Sequence, residues 1–305
     1  MNFDVIIIGS GAAIPTQKRN PTCQFVDCND RHILIDCGEG SQLHFRKNNL
    51  KFQKLQHILI SHLHGDHYFG LVGLLSTMHL LGRDKNLSIY GPVGLKEIVL
   101  MQLEFGGSKL DFEINWVPLD GKSSGLIFED KLIEIHTFPL KHRIPTNGFL
   151  IKEKRKPRNL LSDKITGSGM SFEHMHILKE GKDIQLEDGR YFKNKDYTSN
   201  PPAIRSYAFC SDTAYSEKIL EHIEGVNLLY HEATFIEKEA DRAKKTYHST
   251  AKQAATIAQK AKVKKLILGH LSARYENGKA HEEEAKSIFE NTEVVEDGVK
   301  YSIKA

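Results

Sequence analysis

The sequence predicts a mixed α/β protein. Short β-branched runs alternate with helical patterns along the chain, most of these runs close on a polar residue, and the clearest helix leads directly into a strand. In chain order the strands are read in RHILIDCGEG, LQHILISH, NLSIYGP, KLIEIHTFPL, SYAFCSD, NLLYHEATF and KKLILGH. Each is too short for a helix and too continuously apolar for a surface strand, so each reads as buried on both faces. The opening VIIIGSGAAIP begins like a dinucleotide-binding turn, with Gly9 and Gly11 after an apolar strand. It departs at the third glycine position, occupied by Ile14, and Pro15 stands where the pyrophosphate-binding helix should already run, so a strand followed by a loop is expected. The clearest helix spans Ala251 to about Ala261, because Thr250 and Gln253 form a capping-box pair and alanines recur at helical spacing. The pentads ILISH (58–62) and LILGH (266–270) resemble each other in opposite halves of the chain, a weak hint of two related halves.

At 305 residues, 40% hydrophobic and 27% charged, the chain has the composition of a globular protein with a sizeable core. No apolar run approaches the roughly 20 residues a membrane helix needs. The N-terminus MNFDVIII carries an acid where a signal peptide carries basic charge, which predicts a cytoplasmic protein without membrane attachment. The cysteines Cys23, Cys28, Cys37 and Cys210 are too few to staple such a chain and read as reduced thiols on strands. A formal charge of +3 is too small to indicate nucleic-acid binding by itself. One stretch, about residues 153–202, is polar and glycine-rich, opens on a basic cluster and closes on a proline pair. It reads as an insertion in a single domain spanning 1–305, with Phe172, Met175, Ile177, Leu178 and the DGRYF turn suggesting a small folded excursion.

The sixteen histidines are the unusual count, and SHLHGDH is where they concentrate. His62, His64, Asp66 and His67 fall within six residues directly after an apolar strand. The strand fixes the start of the loop, and the loop can turn imidazoles and a carboxylate into one cavity suited to a borderline metal such as zinc. Asp212 and His270, like His62, each come just after a buried strand, so strand tips at one sheet edge could converge. His142, between Lys141 and Arg143, would by itself read as a surface histidine. The H-x-H of His174 and His176 lacks an accompanying acid or third histidine and reads as surface.

H-x-H-x-D-H resembles the signature of the metallo-β-lactamase superfamily. IGSGAAIPTQKRNPT, LIDCGEGSQ, LISHLHGDHYFGLVGLL, LKHRIPTNGF, FCSDT, LLYHEATF, HSTAKQAATIAQKA and LILGHLSARY together resemble its transfer-RNA 3′-processing branch, the ribonuclease Z family, over nearly the whole chain. The resemblance implies a four-layer αβ/βα sandwich with a protruding arm and two zinc ions per subunit. His62, His64 and His142 would hold one zinc, Asp66, His67 and His270 the other, and Asp212 would bridge them. Asp66 would also orient the attacking hydroxide or take its proton, and His248 would protonate the leaving oxygen. Asp36 would orient a liganding histidine, while Glu232 of HEATF would stand behind the ligands in a role that burial and hydrogen bonding explain equally well.

The resemblance further implies precursor tRNA as substrate, cut to leave a 3′-hydroxyl on the tRNA and a 5′-phosphate on the trailer, and a homodimer in which the arm of one subunit serves the site of the other. Lys154, Arg155, Lys156 and Arg158 of the insertion, and Lys18, Arg19 and Asn20 of the N-terminal loop, would then contact RNA. Two departures stand out. Gln17 occupies a position where the family's loop carries lysine, and Ser211 precedes Asp212 where the family usually has glycine. The alternatives are a hydrolase of the same superfamily acting on small esters, against which HSTAKQAA and the basic insertion argue, and a metal-holding RNA-binding protein without turnover, against which the complete ligand set argues.

Overall fold

The structure, a computed structural model, describes residues 2–304. The chain forms two compact units, one running through Lys152 and resuming over Arg205–Lys304, the other Glu153–Ile204.

The larger unit is built on two seven-stranded sheets. The first runs Lys300–Ser302, Phe3–Gly9, Cys23–Cys28, Arg31–Ile35, Leu55–Leu59, Leu87–Pro92 and Ile114–Leu119. The second runs Thr292–Val294, Lys265–Gly269, Leu228–Glu232, Ser206–Cys210, Asn147–Glu153, Ile133–Pro139 and Gly125–Glu129. Alternation of side chains sorts the apolar residues into three cores. Phe3, Val5 and Ile7 pack between the sheets with Ile33, Ile35, Phe149, Phe209 and Ile267, whereas Ile8, Leu34, Ile58 and Ile60 face helices on the far side of the first sheet. Ala208, Cys210, Leu266 and Leu268 face outward from the second sheet against another helical layer. Sheet, sheet and two helical layers make the four-layer αβ/βα sandwich of the metallo-β-lactamase fold.

Helical spacing explains the outer layers. Leu71–Leu80 buries Leu71, Leu74, Leu75 and Met78 against the first sheet, and Leu95–Phe105 buries Leu95, Val99 and Leu103. Over the second sheet, Ala251–Lys260 buries four alanines and Ile257, small side chains that let the helix lie close to the strands. Its capping box is formed: Thr250 accepts from the Gln253 amide, and the Gln253 side chain accepts from the Thr250 amide. All four cysteines are buried, and no disulfide forms among the described residues.

In each sheet four neighbouring strands run parallel, so their C-terminal ends share an edge. The loops after Arg31–Ile35 and Leu55–Leu59 are locked together there by backbone contact. Cys37 N–H donates to His67 O at 2.7 Å and Gly70 N–H to Cys37 O at 2.9 Å. A Cβ on Gly70 would lie 2.1 Å from the Gly38 carbonyl oxygen, and one on Gly38 2.5 Å from the Asp66 oxygen, so glycine is required at both positions.

The smaller unit has its own core of Met170, Leu178, Ile184 and Phe192, with a hairpin pairing Ile184–Gln185 to Tyr191–Phe192 around the DGRYF turn. Phe172, expected to help fold this segment, is instead 89% exposed, because it opens the capped helix Phe172–Lys179 on its solvent side.

Phe149 is fully buried between the sheets, while Leu80 is 81% exposed. Phe149→Ala should lower the unfolding free energy by about 3–5 kcal/mol and Leu80→Ala by less than about 0.5 kcal/mol, as urea titration would measure.

Candidate metal centre

The shared strand edge collects the functional side chains. His62, His64, Asp66 and His67 follow Leu55–Leu59, Asp36 follows Arg31–Ile35, and Asp212 follows Ser206–Cys210. Glu232 ends Leu228–Glu232, His270 follows Lys265–Gly269, and His142 lies in the hairpin after Ile133–Pro139. His248 sits between the helices Ala240–Thr246 and Ala251–Lys260. Asp36 and His270 hold left-handed backbone conformations, φ 58° and 55°, unusual for such residues and clustered at the site.

Most of the imidazoles have one nitrogen committed behind the site. His67 Nδ1–H donates to Asp36 Oδ2 at 2.6 Å, and Asp36 also accepts from the Ser61 amide at 2.8 Å and from its hydroxyl at 3.0 Å. That hydroxyl lies 3.0 Å from His62 Nδ1. His142 Nδ1–H donates to Tyr247 O at 3.0 Å, and His270 Nδ1–H to Thr234 Oγ1 at 3.0 Å, itself bonded to Glu232 at 2.6 Å. Such partners fix which nitrogen turns inward.

The inward atoms fall into two groups. His62 Nε2 and His142 Nε2 lie 2.8 and 3.2 Å from His64 Nδ1, and Asp212 Oδ2 is 3.7 and 3.8 Å from His62 Nε2 and His142 Nε2. On the other side Asp212 Oδ1 stands 3.4 Å from His67 Nε2 and 3.2 Å from His270 Nε2, while Asp66 Oδ2 is 3.5 and 3.6 Å from the same atoms. His62, His64, His142 and Asp212 thus form one set within ligand distance, and Asp66, His67 and His270 another, with Asp212 facing both. His67 Nε2 and His270 Nε2 are buried without a hydrogen-bond partner among the described residues. Lone-pair nitrogens orphaned beside carboxylates, with no cysteine among the donors, fit borderline divalent cations in an open site.

The electrostatics agree. Burial first, then neighbouring imidazoles, holds His62 and His64 below the usual histidine range, and burial lowers His142 as well, which keeps all three neutral as metal ligands must be. Against the opposing effect of burial, the charges of Asp212, Asp36 and Asp66 raise His67 well above its ordinary value, so this half of the site favours positive charge. Burial opposes ionisation of Asp212 and Asp66 too, yet the surrounding imidazoles pull both carboxyls well below their usual range.

Beside the two sets, His248 Nδ1 lies 2.8 Å from Glu232 Oε1. Burial would lower the His248 pKa, but the charge and hydrogen bond of Glu232 raise it to about 9. Glu232 also accepts from the amides of Thr213 at 2.7 Å and Ser249 at 3.1 Å. No sequence spacing marks the pairing of Glu232 with His248, because the two lie sixteen residues apart with the helix Ala240–Thr246 between them. Ser211, in place of glycine, is accommodated: its buried hydroxyl donates to Asp212 Oδ1 at 2.9 Å.

His64, Asp66, Asp212, His248 and His270 line a cavity of about 640 Å³ whose walls include Ile14 and Pro15 of the N-terminal loop together with Arg143, Arg242 and Arg274. The three arginines come from separate elements, so no spacing in the sequence marks them as a group. Three of the side chains expected to contact RNA also make bonds within the protein. Arg19 Nη1 donates to Ser10 Oγ at 2.7 Å and to Val295 O at 2.8 Å, and Asn20 Nδ2 to Asp297 Oδ2 at 2.8 Å, so both anchor the loop. Arg158 donates to Thr198 Oγ1 at 2.7 Å and Asn200 Oδ1 at 2.6 Å within the insertion. Lys18 is exposed near Glu276, Arg155 is exposed, and Lys156 lies 3.8 Å from Glu153.

A family model described as Anti-Pycsar protein Apyc1 matches residues 3–154. Ribonuclease Z of Parabacteroides distasonis is 43% identical over 302 residues, covering 99% of both chains. Human tRNase Z, short form, superposes with a TM-score of 0.72 at 28% identity, covering 99% of this chain and 100% of that one. The metallo-beta-lactamase fold protein YhfI from Bacillus subtilis shares the fold at a TM-score of 0.69 and 16% identity, covering 99% of this chain and 100% of its own. With ligand sets converging at the strand edge and full-length relatives at this identity, the chain belongs to the ribonuclease Z family of metallo-β-lactamase-fold proteins.

Proposed function

We propose that this protein is a zinc-dependent endoribonuclease that removes the 3′ trailer from precursor tRNA, leaving a 3′-hydroxyl on the tRNA and a 5′-phosphate on the trailer. The observation that carries the reading is the convergence of two ligand sets on Asp212 at the floor of an open cavity, in a chain matched end to end by proteins named ribonuclease Z. His62, His64 and His142 would hold one zinc and Asp66, His67 and His270 the second, with Asp212 turned toward both sets. A zinc pair supplies a nucleophile at neutral pH and neutralises charge developing on the phosphoryl group.

The protein's own groups do the rest. Asp66, held ionised and fixed by the Ala13 amide at 2.8 Å, orients the attacking water. Glu232 holds His248 through Nδ1, leaving Nε2 to protonate the departing oxygen. Asp36 aims His67. Arg143, Arg242 and Arg274 on the cavity wall meet phosphates flanking the cut.

The insertion is the tRNA grip, a role supported by its separate core and by exposed cations such as Arg155, Lys164, Lys179, Lys193 and Lys195. Two copies pair, as the exposed apolar face of Leu100, Met101 and Phe105, with Leu80 and Leu81 also exposed, supports. No helix among the described residues is long and apolar enough to cross a membrane, and a tRNA substrate supports action in the cytoplasm.

Incubation with an end-labelled precursor tRNA should yield one cut whose ends map as stated, lost on chelation and restored by zinc. Asp212→Ala should remove both cleavage and bound zinc while the fold survives, since the sandwich core lies elsewhere. Full turnover by a folded, zinc-depleted Asp212→Ala protein would overturn the two-metal assignment.

His248→Ala should slow RNA cleavage by roughly 10²–10⁴, the usual span for general acid catalysis. A model diester with a good leaving group needs less protonation and should lose less; equal losses on both would count against the role. Deleting about residues 155–199 behind a short flexible linker should weaken precursor binding and flatten its salt dependence, by roughly 0.9 log units for each duplex phosphate that the insertion neutralises in the intact protein. Hydrolysis of bis(p-nitrophenyl) phosphate should persist, because every proposed zinc ligand lies outside that segment. Unchanged affinity and salt slope would assign the grip elsewhere.

A further inference from the structure

The N-terminal loop between Gly11 and Asn20 enters the site at two points. Its strand Gly11–Ala12 pairs in parallel with Leu271–Ser272, directly after His270, and the Ala13 amide donates to Asp66 Oδ2 at 2.8 Å. From there Ala13 to Lys18 are exposed, and Ile14 and Pro15 form part of the cavity wall. Its internal bonds include Ile14 N–H to Ala12 O at 2.8 Å, Thr16 N–H to Arg19 O at 2.9 Å, the Thr16 hydroxyl accepting from the Arg19 amide at 2.9 Å and, across the two ends, Gly11 N–H to Asn20 O at 2.9 Å.

A carboxylate from the other end of the chain reinforces that closure. Asp297 Oδ1 accepts from the Ser10 hydroxyl at 2.7 Å, and Asp297 Oδ2 accepts from both the amide and the side chain of Asn20, at 2.7 and 2.8 Å. One side chain therefore fastens the residue before the loop to the residue that ends it. Arg19 completes the clasp by donating to Ser10 Oγ and to Val295 O, two residues before Asp297. The turn carrying Asp297 is itself fixed, since Val295 N–H donates to Leu268 O at 2.9 Å on the strand leading to His270, and Gly298 N–H to Ile7 O at 2.7 Å.

We propose that Asp297 is a positioning residue for substrate selection: by clasping Ser10 to Asn20 it sets the loop that walls the cavity, and so fixes which phosphate of a tRNA 3′ end reaches the metal centre. This deepens the reading of the chain as a tRNA 3′-processing enzyme and rests on it. A small diester is too short to be registered by the wall, whereas a polynucleotide must thread past Ile14 and Pro15. Asp297 touches neither substrate nor metal, and its action passes through the loop.

The test compares wild type with Asp297→Ala and Asp297→Asn, the second nearly isosteric but unable to accept from Ser10 and Asn20 on both of its terminal atoms. Hydrogen exchange followed by mass spectrometry reads the loop without reference to activity. Peptides covering residues 12–20 should exchange about tenfold faster or more in the variants, as loss of charged hydrogen bonds implies, with the strand Lys265–Gly269 unchanged. On precursor tRNA, cleavage should spread over neighbouring phosphates, and kcat/KM should fall about tenfold further than it does on bis(p-nitrophenyl) phosphate. A purely structural role would lower both activities in proportion and leave the cleavage position sharp, and that result, with or without faster exchange, overturns the proposal. If Asp297→Ala does not fold, Asp297→Asn decides by the same measures. Failure of wild type to cut precursor tRNA would instead remove the functional reading, and slow loop exchange in the variants would then independently remove the clasp.

Discussion

Asp212 is the constraint around which the rest of the larger unit is arranged. A carboxylate with almost no exposure, facing five histidines within 4.0 Å, is costly to bury unless opposite charge is brought to it. Its two oxygens point to different ligand sets, so compensation must come on both sides at once. The parallel strands of the two sheets supply those sides, because polar residues placed at their C-terminal ends arrive at a common edge without interrupting either sheet.

Behind that carboxylate the site is held by a shell of secondary contacts that leaves little freedom. Asp36 orders His67 and Ser61, Thr234 orders His270, and the Tyr247 carbonyl orders His142. Glu232 joins the catalytic candidate His248 to the loops carrying Thr213 and Ser249. The left-handed backbone at Asp36 and His270 is part of the same arrangement. Each turns the chain sharply off the end of a strand, which sets Asp36 against His67 and brings His270 into the cavity.

The N-terminal loop shows a polar residue type serving the fold at the rim of a site. Arginine and asparagine near an active site suggest RNA contacts, and Arg19 also braces the loop, donating from Nη1 to Ser10 and Val295. Arg158 in the insertion likewise donates to Thr198 and Asn200. Composition records which donors exist, and only the surroundings record which have already been used.

The sequence by itself determined the two-sided strands, the alanine-rich capped helix and the clustering of candidate ligands in SHLHGDH. Those features depend on local periodicity and on neighbours within a few residues. Strand-end placement likewise marked Asp212 and His270, whereas His142, standing between two cations, drew its meaning from family resemblance. The pairing of Glu232 with His248, the arginines of the cavity wall and the fastening of Ser10 to Asn20 by Asp297 were decided only by tertiary structure. Such contacts join residues up to 287 positions apart, and the distance between two side chains on different elements is set by how the sheets pack, which no local pattern encodes.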